Sequence, residues 1–297
     1  MANNKHNPLS AYFRAPKLFT GLPSLGRFYT SDVVDMPDSL ELPIFAMTAK
    51  DEVIMKNPDA LLNGEAVAQV IMSCVPNVKQ PRKMLSSDID VLLVAIQGAT
   101  QGDNIDVSAN CPKCNEEKTG VASIEAALAS MSVIEDSYSI SYKDLTIDIR
   151  PFTYESTIKA GITNFQSTRS LQSLANISDE NERLKVFNEN FVKIAELNFA
   201  LIADSIAKIS FVDADGNTQT VTDRSMILEF LENAESSVGK LVEEQIKNIN
   251  KIGINHEMTL QCDKETCCEV DPATNKKVPY TFTTKVNFDP VNFFTAS

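Results

Sequence analysis

The chain has 297 residues, 43% of them hydrophobic with fifteen Phe and no Trp, enough apolar material for one large domain or two modest ones. Forty acidic residues against twenty-seven basic ones give a net charge of −13 with no basic cluster. This argues against nucleic acid as a partner, because such binding rests on Lys and Arg displacing phosphate counterions. No run approaches the roughly 20 apolar residues of a membrane span. Residues 1–10 lack the charged-then-apolar order of a secretory signal, so a soluble cytoplasmic protein is expected.

Up to about residue 35, Tyr12, Phe13, Leu18, Phe19, Leu22, Phe28 and Tyr29 are spaced irregularly among Pro16, Gly21, Pro23 and Gly26. Such spacing predicts an extended arm with aromatic anchors rather than a helix or strand, docked on the chain's own body or on a partner. Glu41 to Met47 reads as a short strand. Asn63 to Met72 reads as a helix, with Val67, Val70, Ile71 and Cys74 on one face, so Cys74 is expected in the core. A second helix over Ser87 to Ala99 is expected to take its cap from Ser86 or Ser87, with Asp88 and Asp90 in its first turn.

Ile105 to Ala109 and Gly120 to Ile124 read as strands on either side of Cys111-Pro112-Lys113-Cys114. A short helix, Glu125 to Met131, and a hairpin, Tyr138–Tyr142 with Leu145–Ile149, follow. From Thr153 helical spacing dominates over Tyr154 to Ala175 and Asp179 to Ala207. Ile209–Val212 and Thr218–Val221 form a hairpin around Asp213–Asn217, then Ser225–Asn233 and Ser236–Asn250 read as helices. The Asp213–Asn217 turn lacks the sixth-position Gly and twelfth-position Glu of a calcium loop. Strands Asn255–Gln261 and Val278–Phe288 flank a second cysteine group. The expected fold is α+β: a small mixed β-strand body (41–152 and 251–297) with a zinc-ribbon-like lobe, an extended arm (1–40) and a helical insertion (153–250).

Five of the six cysteines fall in two clusters 148 residues apart. A Cys-Pro-x-Cys tip between strands aims two thiolates one way, the knuckle half of a zinc ribbon. The second half is expected from Cys262 with Cys267, or with Cys268 as the alternative fourth ligand. One structural Zn²⁺ held by Cys111, Cys114, Cys262 and Cys267 is the reading this pattern favours. A redox role for Cys-x-x-Cys needs a strand–helix context that is missing here. His256 is read as a surface or neighbouring group rather than a ligand. With two histidines, ten glycines, no phosphate-cradling loop and no nucleophile elbow, an enzyme is not expected.

Leu22-Pro23-Ser24-Leu25-Gly26-Arg27-Phe28-Tyr29, then Asn57-Pro58-Asp59-Ala60-Leu61-Leu62-Asn63-Gly64, Val75-Pro76-Asn77-Val78, Asp88-Ile89-Asp90 and Cys111-Pro112-Lys113-Cys114 occur in one order. With the closing Phe288-Asp289-Pro290 and Asn292-Phe293-Phe294, that order resembles the baseplate-hub proteins of T-even-type contractile-tailed bacteriophages. The resemblance covers residues 20–120 and the last 40 and leaves out 153–250. It implies a non-catalytic role in hub assembly through contacts with other hub and tail proteins, in the host cytoplasm and then in the virion baseplate, without nucleic acid, membrane or small-molecule substrate. Phe19, Phe28, Tyr29, Phe293 and Phe294 are the expected docking residues. An extended chain points the adjacent Phe293 and Phe294 to opposite sides, and one body does not easily bury both. The alternative is a zinc-ribbon adaptor for nucleic acid, which the charge disfavours.

Overall fold

The computed structural model describes residues 9, 12–173, 179–270 and 277–286. Strand β1 (Pro16–Thr20) pairs antiparallel with β2 (Leu42–Phe45), with Phe19 opposite Pro43 and Thr20 opposite Leu42. The arm therefore carries a strand where irregular spacing predicted none; only the pairing with β2 defines it. Three helices follow: α1 (Ala49–Met55), α2 (Pro58–Leu62) and α3 (Glu65–Cys74). Thr48 and Asp51 cap α1 reciprocally, and the Asn57 side chain caps α2 ahead of Pro58.

Helix α4 (Ser86–Gln101) crosses beneath these elements. Neither Ser86 nor Ser87 caps it, because both lie inside its first turn and the chain enters from Leu85 without a side-chain cap. Asp88 is instead buried and turned inward. It accepts from the Ser24 backbone N–H at 3.0 Å and from the Tyr29 hydroxyl, which itself accepts from the Leu85 N–H at 2.8 Å. Burial and the adjacent carboxylate both raise the Tyr29 pKa, so its hydroxyl stays protonated and donates. Leu22, Leu42, Ile44, Ile71, Ile89 and Leu92 form the centre of this first core, and Cys74 lies fully buried within it. Burial pushes the Cys74 thiol up to about 11, which keeps it protonated.

Strands β3 (Asn104–Asn110) and β4 (Glu117–Ser123) form a two-stranded ribbon, and α5 (Ile124–Ala129) returns the chain to α4. The hairpin β5 (Tyr138–Tyr142) and β6 (Leu145–Ile149) then pairs with a second hairpin, β7 (Ile206–Val212) and β8 (Thr218–Val221), as one antiparallel sheet in the order β5-β6-β7-β8. Residues 138–149 thus share a sheet with strands from within 153–250. Helices α6 (Tyr154–Ser173) and α7 (Glu180–Ser205) lie between the two hairpins in sequence. Helices α8 (Arg224–Asn233) and α9 (Ser236–Ile249) follow the second hairpin and cover the sheet. Ile147, Ile206, Ile227, Val242 and Ile246 form this second core.

The remaining strands are β9 (Glu257–Cys262), β10 (Glu269–Val270), β11 (Lys277–Val278) and β12 (Tyr280–Lys285). Strand β12 pairs antiparallel with β9, placing Tyr280 opposite Cys262 and Phe282 opposite Leu260. The architecture is α+β with several small antiparallel sheets. Among the described residues, no helix is long and apolar enough to cross a membrane.

Candidate metal centre

Two ribbons bring the distant cysteines together. Strand β3 runs into Cys111, and the chain reverses over Pro112–Asn115 before β4. The turn is closed by Asn115 N–H donating to the Cys111 carbonyl (2.8 Å) and Cys111 N–H donating to the Glu116 carbonyl (2.8 Å). Asn115 takes a left-handed conformation with φ of 58°, one that Asn tolerates better than most residues. On the other ribbon β9 ends at Cys262. A turn in which Cys267 N–H donates to the Lys264 carbonyl at 2.8 Å folds Cys267 back over it.

The ribbons approach closely at Gly120 in β4, where an added Cβ would oblige the ends of two flexible side chains to shift. A Cβ at that position would stand 2.6 Å from Leu260 Cδ2 and 2.8 Å from Met258 Cε, inside contact distance. With hydrogen there, Leu260 and Phe282 form a small apolar floor beneath the thiols.

The Sγ atoms of Cys111, Cys114, Cys262 and Cys267 all lie within 4.8 Å of one another, and Cys114 and Cys262 are separated by 3.7 Å. Tetrahedral zinc with Zn–S bonds of about 2.3 Å requires S–S edges of about 3.8 Å. Four soft donors at that spacing could hold such a metal and leave no open position on it. Cys111, Cys262 and Cys267 are buried, and Cys114 is half-buried. Cys268 stands outside the group: its thiol faces the Asp263 carbonyl at 3.7 Å.

The surroundings treat the thiols unequally. Burial raises Cys111, but N–H groups of Cys114 and Lys113 and the neighbouring thiols outweigh it and bring its pKa to about 7. Burial pushes Cys267 up to about 12 and also raises Cys262. Binding a metal would therefore displace protons.

Charged residues that the sequence reading passed over hold the two tips together. Lys118 of β4 pairs with Asp263 at 2.9 Å, Lys264 pairs with Glu116, and Lys113 pairs with Glu269 at 2.6 Å while lying 3.9 Å over the Tyr280 ring. At separations near 150 residues, no local pattern could have signalled these pairs. His256 lies on the chain before β9, where burial lowers its pKa, and it is not part of the thiol group.

The predicted docking aromatics divide. Phe19 is 61% exposed and Phe28 39% exposed, whereas the Tyr29 hydroxyl is engaged with Asp88 and Leu85. Phe293 and Phe294 lie outside the described residues. Phe19 lines a groove of about 510 Å³ with Leu18, Ile124, Leu128 and Met131, and Glu41, Asp103 and Glu125 stand around it.

Fold and site together define an α+β chain whose two remote ribbons meet at a four-thiol centre. The chain belongs to a bacteriophage family: the family model described as T4 bacteriophage base plate protein matches residues 33–273 of its 297. It is a structural protein of a T4-type phage tail baseplate. The match extends through 153–250, where the sequence resemblance had been silent. No curated protein and no solved structure matches the chain.

Proposed function

We propose that this protein is a component of the baseplate hub that acts through protein contacts, without catalysis, and is stabilised by one structural Zn²⁺. The observation that carries the zinc reading is the meeting of four thiols from segments 148 residues apart. Cys111, Cys114, Cys262 and Cys267 would hold the ion, which supplies a cross-link between the two ribbons. The hub reading rests on the family and on the ordered motifs from Leu22 to Cys114.

Partners are other hub and tail proteins, met in the host cytoplasm during assembly and retained in the tail baseplate. Phe19 and Phe28 serve docking, together with Phe293 and Phe294, while Tyr29 anchors the arm internally. The acidic residues around the Phe19 groove favour a partner that offers an apolar side chain flanked by Lys or Arg. Burying one Phe contributes about 1.5–3 kcal/mol, enough for two anchors to decide a weak contact.

The test is co-purification of the zinc-loaded chain with hub proteins from infected cells. The Phe19→Ser/Phe28→Ser double variant should fold, keep its metal and fail to enter the complexes. Normal entry of that variant would exclude docking through the arm. Salt-sensitive, micromolar binding of the wild type to duplex DNA would favour the adaptor alternative instead.

A further inference from the structure

Helices α6 and α7 distribute polarity in an unusual way. Between residues 159 and 201, the buried side chains among the described residues are Ser167 (4% exposed) and Asn190 (7%). Asn190 Nδ2 donates to Ser170 Oγ across the pair at 2.9 Å and to the Val186 carbonyl at 2.8 Å. Several large apolar residues of α7 are bare: Leu184, Phe187, Phe191 and Val192 are 54%, 50%, 65% and 50% exposed, while Ile194, Leu197 and Phe199 are half-buried. A self-sufficient helical hairpin places its apolar side chains in the seam and its polar ones outside, the reverse of this arrangement.

Three of the bare residues share a register with the exposed Asn198 and with Ile194 and Leu201, which are half-buried. Leu184, Phe187, Phe191, Ile194, Asn198 and Leu201 alternate steps of three and four, the a/d spacing of a coiled-coil seam. At 1.5 Å per residue the stripe runs about 26 Å along α7. Helix α7 extends over 26 residues, so the stripe occupies most of its length.

We propose that this stripe is a homotypic interface, covered by α7 of a second copy of the chain lying parallel to it. Three observations favour a second copy over another partner. The first is Asn198, an amide at a seam position. In a parallel pair of identical helices it meets the same amide at the same level and both are satisfied, whereas an apolar partner helix would leave it buried and unpaired. The second is charge. From Lys159 to Glu196 five basic and five acidic residues cancel, while the whole chain carries −13. Two copies approaching through this stretch meet no net repulsion there. The third is area. An aromatic side chain presents about 150–250 Å², so the half-exposed stripe and its flanks offer on the order of 500 Å² per chain and about 1,000 Å² per pair, the threshold of a specific interface.

The experiment is sedimentation equilibrium on the full-length, metal-loaded chain, alone and as Phe187→Ser/Phe191→Ser. The wild type should form dimers with a dissociation constant on the order of micromolar, as a small interface predicts. The double variant should raise that constant by about 100-fold or more. Its circular dichroism and metal content should not change, because both rings are exposed in the single chain. Asn198→Leu supplies the second arm: removing the seam amide should release the strict dimer into mixed higher oligomers. A wild type that stays monomeric to about 100 µM would overturn the proposal. So would a dimer that persists undiminished in the double variant.

Discussion

Leu92 and Leu260 are buried to nearly the same depth, 0% and 3% exposed, yet their company differs. Around Leu92 the first core gathers side chains from the arm, β2, α3 and α4, nearly all aliphatic. Around Leu260 the buried neighbours are Phe282 and three cysteines. In the first region apolar burial can offset the cost of ordering the chain. In the second, two ribbons must be fixed at about 1–2 kcal/mol of backbone entropy per residue with very little apolar surface to bury. The proposed metal cross-link would supply what that lobe lacks, since structural zinc in small domains contributes an apparent 10–16 kcal/mol at neutral pH.

The sharpest way to break this contrast is to withdraw the proposed metal. Chelation, or Cys111→Ser, is expected to withdraw on the order of 10 kcal/mol from the cysteine lobe and almost nothing from the first core. Limited proteolysis checks this: new cleavages should appear within 104–123 and 257–285, while peptides spanning 42–101 remain protected. A smaller effect sharpens the other side of the comparison. Leu92→Ala should cost about 2–5 kcal/mol of global stability in urea and leave metal content unchanged. Smaller again is Tyr29→Phe, which removes a donor from buried Asp88 and an acceptor from the Leu85 N–H. A loss of about 1–3 kcal/mol is expected, read as a lowered urea midpoint with the metal still bound. An unchanged midpoint would mean that Tyr29 is not the internal anchor of the arm.

The same contrast governs what could be read from the sequence. Local patterns were legible: the hairpin Tyr138–Tyr142/Leu145–Ile149 has the bounds its alternation predicted, and α7, which the Asp179 side chain caps, follows from its helical spacing. Cys111 and Cys114 announced themselves by spacing alone. Features made by long-range pairing were not legible. Strand β1 exists through β2, and the sheet joining 138–149 to 206–221 leaves no mark in either segment. Asp88 looked like an ordinary acidic residue of a first helical turn, and only the arm folding over it makes it a buried acceptor. Cys267 and Cys268 are neighbours that differ by one peptide unit. The turn closed on the Lys264 carbonyl brings Cys267 to the other thiols, while the Cys268 thiol faces the Asp263 carbonyl.

Metal content of the purified chain, by mass spectrometry alongside Cys267→Ser and Cys268→Ser, tests the cross-brace most directly. One zinc per chain is expected from four thiolates, lost in Cys267→Ser and retained in Cys268→Ser. A wild type free of metal, or zinc retained in full by Cys267→Ser, would contradict the four-thiol centre.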